Sequence, residues 1–323
     1  FSKLAVLEYL SSGITACFDM YFHPEEMAKL AVDTGFRVVL LSGLSNFNSS
    51  LQELEECYRK YNHFHPLVSY QLGFHAEYTT SKPLLEGIAK LAREFQAPVF
   101  THNSETKGEV EGCLSRYGMT PTALMDSLGM LQYGGGGYHC VEMTDGDLDI
   151  FQKRGMTVIT NPASNMKLAS GVPRTADILA RGIPMAIGTD GPASNNCLDM
   201  FREMFLVTGL SKLREKDAAA VPAEEVLRMA CVNGARCMGL SNCDSLTVGK
   251  QADLVVLDLH RPNMQPLNGI VKNIVYSGSK ENVALTMVNG RILYEKGEFF
   301  IGEDPEELYR KVNRRLTELK QSS

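Results

Sequence analysis

The sequence has no basic excess, no long apolar run and no paired cysteines, and each absence removes a class of function. Lys and Arg number 32 against 38 Asp and Glu, for a formal net charge of −6. That balance offers no basic footprint for nucleic acid. No uninterrupted apolar stretch reaches the roughly 18 residues that a membrane helix needs, and no charged-then-apolar leader opens the chain. The eight cysteines (Cys17, Cys57, Cys113, Cys140, Cys197, Cys231, Cys237 and Cys243) are scattered and form no CxxC pair. This spacing excludes a zinc-finger cluster. It reads as buried thiols of a reducing compartment, hence the cytoplasm. Neither a GxGxxG after the first strand nor a Walker loop is present. With 44% hydrophobic and 22% charged residues, the 323-residue chain has the composition of a soluble globular protein. Its length allows one large domain or two ordinary ones.

What is present is alternation. Short apolar runs at Ile14–Phe18, Arg37–Leu41, Leu67–Leu72, Pro98–Phe100, Gly137–Val141, Thr157–Thr160 and Pro184–Ile187 are each followed by a helical pattern. Strands alternating with helices imply βαβ units and a parallel sheet. Polar and ionisable residues (His75, His102, Glu105, His139, Asn161 and Asp190) collect after several strands, at their C-terminal ends. That is what the active face of a (β/α)₈ barrel requires, so a TIM-like barrel is expected over an open doubly wound sheet. Only about seven strand–helix units are found, against eight in a closed barrel. Ser2–Leu10 reads as a helix without its own strand, and the chain begins at Phe1. The expectation is that an N-terminal piece carrying the first strand is missing from this sequence. Gly134–Gly137 reads as a flexible approach to a strand. The expected organisation is a barrel over residues 1–240, a small β appendage over 241–300 with an Asn289-Gly290 hairpin turn, and a C-terminal helix over 301–323 with a solvated face.

His102 leaves an apolar strand and Glu105 follows three residues later, so an imidazole that can bind a metal stands near a carboxylate that can move a proton. A surface strand-to-loop pair fits that fragment equally well. Asp190 ends the last barrel strand among small residues, as a hard ligand or a base would, though an Asx turn or a helix cap is the common reading. A lone strand-end histidine such as His139 is more often structural. Together the three are more informative, because barrel topology brings their strand ends to one mouth. His63-Phe64-His65 has ligand spacing but precedes its strand, on the stability face. His75 follows that strand and is the credible one, while His23 and His260 look incidental.

His102-Asn-Ser-Glu105, His139-Cys140, Asn161-Pro-Ala-Ser-Asn165 and Gly188-Thr-Asp190-Gly-Pro-Ala-Ser-Asn-Asn resemble the amidohydrolase superfamily, in its methylthioadenosine/S-adenosylhomocysteine deaminase-like branch. Asp19–His23 and Ala252–Val256 fit the same family, so the likeness spans the chain. The resemblance implies a metal-dependent barrel with a β-sandwich built from both chain ends. One divalent metal, with zinc expected, would be held by an HxH pair on the first strand, a histidine on the fifth and an aspartate on the eighth. The last two are His102 and Asp190 here; the HxH is absent. It also implies that Asp190 takes a proton from a metal-activated water and that His139 orients the hydroxide. Glu105 then protonates a ring nitrogen, and ammonia leaves. His75, Glu105 and Ser194 match substrate-contacting positions.

Departures narrow the substrate. Relatives with these activities carry an arginine after the third strand, where Leu40-Leu41-Ser42-Gly43 stands, and Asn46–Ser50 holds none either. Glu142 occupies a place often taken by histidine. Loss of guanidinium groups argues against a carboxylate-bearing substrate. The expected activity is hydrolytic deamination of an aminopurine nucleoside or related amino-heterocycle. The alternatives are a chlorohydrolase-type reaction on the same scaffold, or a scaffold that has lost its metal. Val68–His75 lacks the lysine that cyclic-amide hydrolases bridge two metals with. The expected partner is a small-molecule substrate, with neither nucleic acid nor membrane; a homo-oligomer is compatible.

Overall fold

The computed structural model describes residues 1–322. Seven parallel strands follow one another in a single sheet, each paired with its predecessor: β1 (Ala16–Tyr21), β2 (Arg37–Ser42), β3 (Val68–Ala76), β4 (Val99–Asn103), β5 (Gly135–His139), β6 (Met156–Thr160) and β7 (Met185–Ile187). These are the seven units the alternation predicts, shifted by a few residues at their ends. β2 reads Arg-Val-Val-Leu-Leu-Ser and is buried throughout, as befits a parallel strand covered on both faces. The crossover helices are stopped and started by local chemistry. Pro24–Thr34 opens on a proline and closes on Gly35 at φ +79°. Asp145–Arg154 carries a reciprocal cap between Thr144 and Asp147.

The sheet is curled. Phe18 of β1 meets Phe100 of β4 at 4.8 Å between ring centroids, whereas strands three apart in a flat sheet lie about 14 Å from each other. Phe18, Leu41, Phe100, Tyr138, Ile159 and Ala186, one or more from most strands, pack together as the barrel interior. A much larger apolar cluster lies between the sheet and its helices.

The glycine run is not a flexible approach. Gly135, Gly136 and Gly137 lie within β5. A Cβ on Gly135, at φ +128°, would stand 1.9 Å from the Val99 carbonyl oxygen, and one on Gly136 would stand 2.5 Å from Ile159. Glycine here permits close approach of β5 to β4 and β6.

The second sheet is antiparallel, in the order β11-β10-β9-β8, built from β8 (Leu254–Leu257), β9 (Val283–Val288), β10 (Arg291–Glu295) and β11 (Glu298–Phe299). Asn289 and Gly290 both have positive φ at the β9–β10 turn, as a type I′ hairpin requires. A helix, Ile270–Tyr276, interrupts this segment and leans back on the barrel side, where the Tyr276 hydroxyl lies 3.4 Å from Thr208 Oγ1. Arg37, the first residue of β2, fastens the two sheets by a two-pronged ion pair to Asp253, at 2.6 and 2.9 Å. The C-terminal helix Pro305–Ser322 is not wholly a solvated face. Leu308 belongs to the main core, and Glu303, just before the helix, pairs with Lys3.

All eight cysteines are free; Cys57, Cys113 and Cys140 are buried, but Cys231 is exposed. Among the described residues, no helix is long and apolar enough to cross a membrane.

Candidate active site

The C-terminal ends of β3, β4 and β5 carry His75, His102 and His139 side by side. The ring centroids of His75 and His102 are 4.9 Å apart, and those of His102 and His139 are 5.4 Å apart and nearly parallel. His102 Nδ1 lies 2.7 Å from the backbone carbonyl oxygen of His75. A carbonyl can only accept, so the proton sits on Nδ1 and Nε2 keeps its lone pair. Burial, then the neighbouring His139 and His75, lowers the His102 pKa to about 4. The ring is therefore neutral near neutral pH. His75 is also pushed down by burial, and its Nδ1 is 2.9 Å from Thr79 Oγ1.

His139 ends β5 at φ +67° and Cys140 follows at +50°. This left-handed turn costs a non-glycine residue energy and recurs at functional strand ends. The imidazole is 1% exposed. Its Nδ1 lies 2.7 Å from Asn165 Oδ1, and its Nε2 receives the Asn161 Nδ2 contact at 3.5 Å. Both partners lie just beyond β6. The ring is thus held with Nδ1 protonated, and Nε2 stands 3.8 Å from Glu105 Oε2 and 4.0 Å from Asp190 Oδ2.

Two carboxylates therefore flank one imidazole. Glu105 Oε1 accepts from Ser170 Oγ at 3.1 Å. Its backbone N–H and that of Ser104 are both received by Glu109, at 2.7 and 3.0 Å. Burial raises the Glu109 carboxyl to about 7 against the opposing pull of these N–H groups. Asp190, at φ +56°, accepts from Ser164 Oγ at 2.5 Å and from the Gly191 N–H at 2.6 Å.

Of the residues singled out in the sequence, Glu105, His139 and Asp190 converge, with His102 stacked on His139 and His75 tilted against His102. Ser194 lies in the short helix Pro192–Asn195 after Asp190, half-exposed. Among the described residues its side chain makes no hydrogen bond to the cluster. His65 stays at the foot of β3, where its Nδ1 accepts the Leu67 N–H. Sequence reasoning missed the supports: Ser164 and Asn165 were visible only as part of a motif, and Glu109 and Glu203 look like ordinary acidic residues of a first helical turn.

A lone-pair-bearing His102 Nε2, fixed by a carbonyl on its other nitrogen, has the chemistry of a metal ligand, and the Asp190 carboxylate is a matching hard donor. Among the described residues no group of three or more histidine, cysteine, aspartate or glutamate side chains could hold an ion. The chain presents a half-set of donors.

Several known proteins are similar to this chain over most of its length. A 5-methylthioadenosine/S-adenosylhomocysteine deaminase of Caldanaerobacter subterraneus is 36% identical, over 98% of this chain and 75% of its own length. A 5'-deoxyadenosine deaminase of Methanothermobacter thermautotrophicus is 37% identical, over 93% of this chain and 72% of its own. The crystal structure of a zinc-bound adenosine deaminase from Xanthomonas campestris superposes with a TM-score of 0.93 at 30% identity, covering 99% of this chain and 74% of that one. Residues 1–293 match the amidohydrolase family as a whole. With a strand-ordered parallel barrel, histidines on three adjacent strand ends and a carboxylate after β7, this chain belongs to the amidohydrolase family.

Proposed function

We propose that the chain catalyses hydrolytic deamination of a 6-aminopurine nucleoside, with Glu105, His139 and Asp190 moving and orienting the protons. The observation that carries this reading is the placing of His139 Nε2 within 4.0 Å of both carboxylates. The gap on either side is within reach of one bridging water or substrate atom. With the Nδ1–H held by Asn165, Nε2 is the acceptor, approached by Asn161 Nδ2 at 3.5 Å, that an attacking water would meet. Asp190, oriented by Ser164, takes the proton. Glu105 delivers one to the ring nitrogen beside the amino-bearing carbon; Asp190 then passes its proton to the amino nitrogen, which leaves as ammonia while the new hydroxyl returns a proton to Glu105 as the carbonyl forms. His102 and Asp190 would supply two donors to a divalent ion such as zinc, whose chemistry when bound is to acidify and polarise water. Among the described residues no third histidine, cysteine, aspartate or glutamate joins them in a group that could hold an ion, against the four ligands usual for zinc.

The loop after β2 favours a nucleoside without a carboxylate on its sugar side. It carries no guanidinium, and Phe47 stands 86% exposed there. The test is ammonia release by the full chain, supplied with zinc, from adenosine, 5'-deoxyadenosine and methylthioadenosine. Turnover of at least one is expected, with a loss of about 100- to 10,000-fold in Glu105→Gln. Absence of ammonia from all three, or unchanged turnover in the variant, overturns the reading.

A further inference from the structure

Beneath the site lies a carboxylate that the proposed chemistry does not use. Glu203, on helix Met200–Glu215, is fully buried. Its Oε2 accepts the Ala163 N–H at 3.0 Å, and its Oε1 accepts from Asn195 Nδ2 at 2.8 Å. Asn195 passes the contact on, because the same nitrogen donates to the Thr189 carbonyl at 2.6 Å. That peptide leads directly into Asp190. Ala163 in turn lies between Asn161 and the Ser164-Asn165 pair, the three residues that touch His139 and Asp190.

One carboxylate thus ties the loop after β6 to the loop after β7, and those loops hold the imidazole and the base. The orientation of Asn195 is informative. Its Oδ1 is buried without a partner, a cost accepted because both hydrogens of its amide nitrogen face strong acceptors. Burial raises the Glu203 carboxyl to about 7, opposed by the Ala163 N–H and the Asn195 amide.

We propose that Glu203 is a positioning residue, cross-bracing the two loops so that Asn165 and Ser164 hold His139 and Asp190 in fixed relation. This rests on the site described above, but its test reads the imidazole directly and needs no turnover. Nitrogen-15 spectra of the histidine side chains report which ring nitrogen of His139 carries the proton. The wild-type chain should show a single Nδ1–H tautomer. In Glu203→Gln the amide NH₂ meets another donor at Ala163 or Asn195 unless Asn195 flips, and a flipped Asn195 loses its bond to the Thr189 carbonyl. The brace then opens and His139 should become a mixture of tautomers.

Val226→Ala removes a fully buried apolar side chain on the neighbouring helix Ala223–Arg228. It should lower the melting temperature and leave the tautomer alone, which separates positioning from general stability. If Glu203→Gln does not fold, Asn195→Ala is read in its place with the same expected mixture, since it cuts the link to Thr189 while Glu203 keeps Ala163. Should ammonia release be found, Glu203→Gln should lower kcat about 100-fold with KM unchanged. A wild-type tautomer in the variant that folds, or an equal mixture in Val226→Ala, overturns the proposal.

Discussion

Removing the Asp253 carboxylate gives the sharpest test of how the two sheets are joined. Arg37 and Asp253 lie 216 residues apart in sequence, and their side chains are only 4% and 2% exposed. The guanidinium makes two bonds to the carboxylate, with further contacts to the Pro66 carbonyl at 3.0 Å and Gln251 Oε1 at 3.3 Å. Asp253 Oδ1 also accepts the Asn289 N–H at 2.7 Å, so the hairpin of the small sheet depends on the same group. Asp253→Ala would leave the guanidinium charged, buried and without a counter-ion. Breaking such a pair costs about 3–5 kcal/mol, a large share of a typical total of about 5–15 kcal/mol. Exposed pairs such as Arg59–Glu55, with side chains 56% and 39% accessible, contribute about 0–1 kcal/mol. The double variant Arg37→Met/Asp253→Leu removes both charges and should recover most of the loss. The chain contains no tryptophan, so urea unfolding is best followed by far-ultraviolet circular dichroism, at low salt and at 1 M salt. Salt should barely change the Asp253→Ala penalty, because a buried pair is poorly screened. A penalty below about 1 kcal/mol, or one that vanishes in salt, would mean that this pair does not join the two sheets as a buried bridge.

Gly135→Ala should cost about 4 kcal/mol or more, because its Cβ would overlap the Val99 carbonyl. Gly155→Ala, also at positive φ but with nothing within 4 Å, should cost only about 1–2 kcal/mol; equal urea midpoints for the two variants would contradict the account of close strand approach. For Glu109, burial raises the folded-state pKa from 4.5 to about 7. Its contribution to stability is fully present below pH 4.5 and is lost as pH rises through about 7, a change of about 3 kcal/mol. Glu109→Gln should therefore flatten the fall in unfolding free energy between pH 4.5 and 7, measured by urea titration at several pH values. An unchanged slope would show that Glu109 does not titrate in that window.

The strand-and-helix alternation, the parallel sheet, the hairpin at Asn289-Gly290 and the ionisable residues at strand ends were all legible along the linear chain. Each of these is written within a window of a few residues, as a period, a cap or a turn. The sequence also carried the family likeness, through the segments around His102, His139 and Asp190. The folded chain was needed to show that Gly135–Gly137 are strand residues packed too closely for a Cβ. It likewise showed that Asn165 fixes the His139 proton, and that Glu109, Glu203 and Asp253 are buried supports instead of surface acids. The reason is the curl of the sheet, which sets loops tens of residues apart against one another. A carboxylate's role then depends on which donors that curvature delivers to it.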